Sequence, residues 1–167
     1  VRAVAVEFAR YEFGRWQPPL MALVALAESR HPEVRELVAK ALSADEHDPD
    51  WRDARIDPAR LTPAAVYRFC ESTRPEARDL GMALIAAHPR LAVPTELFRL
   101  TESPDAGVRG FVVRQLWGLY RAKGVTVGWQ PPAPAEGEAA PPPVGRPAED
   151  PAAAEDVRDF LRLTLFG

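Results

Sequence analysis

The stretch AESRHPEVR, Ala27 to Arg35, decides the fold because its pattern returns twice, as CESTRPEAR from Cys70 to Arg78 and as TESPDAGVR from Thr101 to Arg109. Aligned on Arg35, Arg78 and Arg109, the three copies place Glu28, Glu71 and Glu102 seven residues before the arginine. Ser29, Ser72 and Ser103 stand six before it, with no gap in between. Upstream, the twelfth position holds Leu23, Val66 and Leu97, the eleventh Val24, Tyr67 and Phe98, and the ninth Leu26, Phe69 and Leu100. Those offsets draw one apolar stripe along a helix. Each such segment opens near a proline, Pro19, Pro63 or Pro94, where a first turn loses no hydrogen bond to it.

Downstream, the second, third and seventh positions after the arginine hold Leu37, Val38 and Leu42, then Leu80, Gly81 and Ile85, then Phe111, Val112 and Leu116. A second amphipathic helix is therefore expected, and the unit is a helix, a short turn carrying Glu-Ser, and a helix entered just before the arginine. A fourth copy of the second helix starts at Arg2, with Val4, Ala5, Phe8 and Ala9 at matching offsets; its own first helix would lie before Val1. Either end of the chain reads as a cut. The arginine spacings are 33, 43 and 31 residues, and the excess in the middle falls in residues 43–62, SADEHDPDWRDARIDPARLT, an expected inserted loop with a short helical turn near Trp51 to Arg55.

This pattern resembles the HEAT-like repeat family, whose second helix often opens with Val-Arg after a Pro- or Asp-containing turn; HPEVR and SPDAGVR carry the resemblance best. It covers residues 1–123. Two of the spacings fall below the roughly 40 to 47 residues of long HEAT units, so short HEAT-like units are the nearer comparison. The tetratricopeptide and ankyrin signatures are missing. The resemblance implies an all-α chain: an irregular α-solenoid of about three antiparallel helix pairs, with a half repeat at the N-terminus and a C-terminal helix. It further implies that second helices line a concave face and that some relatives grip DNA as base-excision glycosylases.

The repeated Glu, Ser and Arg are expected to be structural. Serine between two helices can bond free backbone groups of the turn. Arginine at a helix start opposes the macrodipole, and so calls for a carboxylate or carbonyl partner. Partner binding is expected instead where the copies differ. The fifth position after the arginine holds Glu7, Lys40, Ala83 and Arg114, and the candidate contacts are Lys40, Arg114, Trp117 and Arg121.

Composition narrows the chemistry. Lys and Arg number 21 against 24 Asp and Glu, a net charge of -3, which provides no general attraction for polyanions. Residues 67–123 hold only three more basic than acidic residues, a thin footprint for a duplex. The single Cys70 suits a reducing cytosol and excludes an internal disulfide framework. The four serines sit in no nucleophile elbow, the glycines form no phosphate loop, and the acidic run Asp45 to Asp50 lacks the glycine and closing glutamate of a calcium loop. No catalytic residue, metal or cofactor is assigned. The expected role is a non-catalytic protein-interaction scaffold or adaptor, cytoplasmic, binding another protein or another part of a longer chain and not a membrane, with nucleic-acid binding as the alternative.

After Lys123, eight of the 21 residues from Pro131 to Pro151 are proline, so residues 124–152 read as a linker. Residues 153–167 return to helical spacing, with Phe160, Leu161 and Leu165 following Arg158 at the repeat's offsets. They read as a capping helix or the start of a further repeat.

Overall fold

A computed structural model describes residues 2–44 and 47–120, with side chains described from Ala3 through Leu116. The expected linker at 124–152, the C-terminal helix at 153–167, Arg121 and the Trp117 side chain lie outside what is described. Among the described residues there are eight α-helices and no strand. They are α1 (Arg2–Tyr11), α2 (Phe13–Trp16), α3 (Leu20–Ala27), α4 (Pro32–Ser43), α5 (Pro63–Cys70), α6 (Pro75–Ala87), α7 (Pro94–Leu100) and α8 (Ala106–Tyr120). The regular structure of the described residues is helical throughout, as the period of their apolar residues requires.

Proline sets most of the starts. Pro63 and Pro94 occupy the first turns of α5 and α7, Pro32 does so in α4, and Pro19 caps α3 from outside. The second helices begin three residues before the repeated arginine in every copy, at Pro32, Pro75 and Ala106. Where proline is absent, at α8, the Asp105 carboxylate accepts the Val108 N–H at 3.0 Å and caps the end instead. Gln17 closes α2 in the left-handed conformation, at φ 33°, just before Pro18.

The chain divides into two compact units, Val1–Gly81 and Met82–Gly167, with the division inside α6. In the first unit, α3 packs on α4 and on α5, and α1 packs on α4 and α2. Leu23, Leu37, Val38, Ala41, Leu42, Val66, Tyr67 and Phe69 form its buried core. At about 25 cal/mol per Å2, each large side chain here contributes about 1.5–3 kcal/mol over its exposed state. In the second unit, α7 packs on α8. Leu97, Phe98, Leu100, Val108, Phe111 and Val112 are buried there.

The insertion is more than a solvated loop. Ala54, Ile56 and Leu61 are all buried, and the Ile56 N–H donates to the Ala41 carbonyl in the last turn of α4 at 2.7 Å. That bond uses one of the carbonyls a helix end leaves open. Arg10 of α1 reaches the same loop, donating to the Asp50 carbonyl at 2.8 Å and lying 5.6 Å from the Trp51 ring centre. The expected helical turn at Trp51 is a single hydrogen-bonded turn, Ala54 N–H to the Trp51 carbonyl at 3.0 Å. A 3-10 turn follows at Pro58–Arg60.

Candidate interaction surface

The repeated residues make one joint three times. The N–H of Ser29, Ser72 and Ser103 donates to the carbonyl three residues back, in the last turn of the first helix, at 3.0, 3.0 and 3.1 Å. Each serine hydroxyl accepts the N–H two residues on, from His31 at 3.2 Å, Arg74 at 2.9 Å and Asp105 at 3.2 Å. Each serine carbonyl accepts Nη1 of the arginine six residues on, at 2.9 Å from Arg35, 3.0 Å from Arg78 and 2.6 Å from Arg109. A charged donor on a carbonyl offsets the arginine's poor position near the positive end of its helix. The N–H and carbonyl are backbone groups; what the serine side chain adds is a short hydroxyl acceptor for the N–H two residues on, where the chain reverses.

The glutamates differ from copy to copy. Glu28 accepts the hydroxyl protons of Ser72 and Thr73 in the next joint, the latter at 2.9 Å, and so ties two turns together. Glu71 pairs with Arg68 at 3.6 Å within its own helix pair. The Ser72 hydroxyl is the first reason the Glu28 carboxyl is held below its ordinary range; burial opposes it and Thr73 assists.

Between the opening turns of α4 and α6 lies a groove of about 270 Å3. Ala27, Val38, Ala77 and Leu80 give it an apolar floor, while Arg35, Glu36 and Glu76 stand around its mouth. Arg35 and Glu76 meet across it at 3.4 Å. Small-molecule sites enclose roughly 300–1,000 Å3, so this volume suits one bulky side chain of a larger partner. Column comparison missed the groove, since it is made by residues from two repeats at different offsets; only Arg35 belongs to the joint.

The expected contact residues fare unequally. Lys40 is exposed on α4, as are Glu7 and Ala83 at the same offset. Arg114 is corrected: it is buried, at 6% exposure, and is not a surface contact. One turn back, a Cβ added at Gly110 would stand 3.3 Å from the Arg114 Nη1. The bare glycine leaves the space into which that guanidinium folds. No helix among the described residues is long and apolar enough to cross a membrane. Comparison with protein-family models, with curated proteins and with solved structures gave no match.

Proposed function

We propose that the chain is a protein-interaction scaffold built of short HEAT-like helix pairs stacked as an irregular solenoid, working in a reducing compartment. The observation that carries this reading is the α4–α6 groove, an apolar floor with a charged mouth, set beside the two joints of the first unit, whose Ser and Arg bond backbone groups. The residues that would look like chemistry in AESRHPEVR hold the turn, and the open surface lies next to them. A partner side chain entering the groove would exchange water for Val38 and Leu80, while Glu36, beside the Arg35–Glu76 pair, favours a neighbouring cation on that partner. That carboxylate and the net charge of -3 count against a polyanion, and nucleic-acid binding is the second reading.

The test is occlusion. Ala39 lines the groove, so Ala39→Trp fills it; Ala59→Trp, on the exposed 3-10 turn, is the control. Proteins retained by the wild-type chain from a native extract are compared by mass spectrometry, with and without nuclease. The scaffold reading expects a protein retained by wild type and the control and lost from Ala39→Trp. Retention that nuclease abolishes supports the nucleic-acid reading, and equal retention by all three chains rules the groove out.

A further inference from the structure

Three alanines line the α4–α6 groove, and each is the smallest residue at its offset. One before the arginine, Ala77 stands where the other copies have Val34 and Val108. Four after it, Ala39 stands against Met82 and Val113, and eight before it, Ala27 stands against Cys70 and Thr101. The groove is thus written into the sequence of one neighbouring pair of copies. Its floor is no open ridge, since Ala27, Val38, Ala77 and Leu80 are all buried. Floor atoms beside a void lack packing partners, so a side chain that enters gains contacts the described residues do not supply.

The charges at the mouth are unequal. Arg35 is engaged twice, by the Ser29 carbonyl and by Glu76, whereas Glu36 is exposed and has no ion pair among the described residues. Two carboxylates against one guanidinium leave the rim negative, and Lys40, one turn beyond Glu36, is not part of the lining. We infer that the groove selects a linear basic-apolar segment of a partner protein, which inserts one side chain of leucine, methionine or phenylalanine size and sets a lysine or arginine against Glu36. The inserted side chain restores the volume that the valines and methionine hold at the same offsets elsewhere, so Ala39 and Ala77 set the size accepted and Glu36 sets the sign. An acidic segment would meet a like charge at the rim. The inference rests on the scaffold reading and names what its groove accepts.

The probe is a library of random dodecapeptides displayed on phage, selected on the full chain with soluble Ala39→Trp as competitor. Enriched peptides are expected to carry a large apolar residue with lysine or arginine beside it or one turn away, and the most enriched is then made synthetically. Ala39→Met with Ala77→Val fills the groove with residues the same offsets already hold, and is expected to weaken that peptide about tenfold or more. Glu36→Lys changes only an exposed side chain; it is expected to weaken the peptide about fivefold, and exchange of the peptide's cation for glutamate to recover the loss. No peptide preferring the wild type to Ala39→Trp overturns the inference, as do acidic neighbours among the enriched peptides or an affinity unchanged by Glu36→Lys. Binding that appears only after residues 153–167 are deleted overturns it too, since the groove would then belong to the chain's own end. Retention of an extract protein through the groove, with no basic preference among peptides, ends this inference and leaves the scaffold reading standing. Peptide selection with equal extract retention by all chains does the reverse.

Discussion

The Glu28 carboxylate accepts a hydrogen bond from the Ser72 hydroxyl, 44 residues further along the chain, and through it one joint holds the next. Its carboxyl is therefore held below the ordinary glutamate range. A carboxyl with a depressed folded-state pKa contributes stability that is complete above the unfolded value and is lost as pH falls through the lower, folded one. Urea midpoints of the wild type are expected to fall below pH 4.5, and Glu28→Gln to flatten that limb while costing about 1 kcal/mol at pH 7. Parallel acid limbs in the two chains would remove Glu28 from the linkage between turns.

The three joints share geometry but not burial, which ranks their serines. Ser72 is 9% exposed, and its side chain both accepts the Arg74 N–H and donates to Glu28. The Ser29 and Ser103 side chains are each placed to accept one N–H. Ser72→Ala is expected to cost about 2 kcal/mol, and Ser29→Ala and Ser103→Ala about 1 kcal/mol each, in denaturant unfolding. Three equal losses would mean that the tie to Glu28 adds nothing.

Much of this is legible in the sequence. The offsets of Glu28, Ser29 and Arg35 located the joint and the helices on either side, because three copies under one constraint expose what the constraint is, but they left the arginine's partner open between a carboxylate and a carbonyl. The insertion was harder: Ala54, Ile56 and Leu61 are buried, but a loop core has no period to announce it. Arg114 misled because exposure was inferred from its column alone, while the glycine four residues earlier had already made room for it. The α4–α6 groove depends on the distance between two helices. No spacing within either helix encodes that distance.

Where α6 passes the end of α5, Gly81 is the residue that permits contact. A Cβ added there would stand 2.7 Å from the Cys70 Sγ, 2.8 Å from the Cys70 backbone N and 2.9 Å from the Phe69 Cβ. Val38 and Val112 hold the same offset in the other copies, so the middle pair approaches more closely at this point. Alanine improves helix propensity by about 1 kcal/mol, but overpacking against backbone costs about 1–3 kcal/mol, and Gly81→Ala is expected to lower stability on balance. Adding Cys70→Ala removes only the sulfur contact. The double variant should recover part of the loss, and full recovery in thermal unfolding would show that the Cys70 nitrogen and the Phe69 Cβ do not limit the approach.

Gln115 occupies the sixth position after Arg109, where α4 has Ala41 and α6 has Leu84. It is 1% exposed, and its Nε2 has no hydrogen-bond partner. An orphaned buried donor costs about 1–3 kcal/mol, and leucine fills a similar volume without one. Gln115→Leu is therefore expected to raise stability by about 1 kcal/mol or more, while Gln115→Ala, which removes the orphan but leaves a void, should gain less or lose. Urea unfolding of the two variants separates the effects. A loss with leucine would mean that the amide is satisfied in solution by an enclosed water, since only then does removing it break a bond.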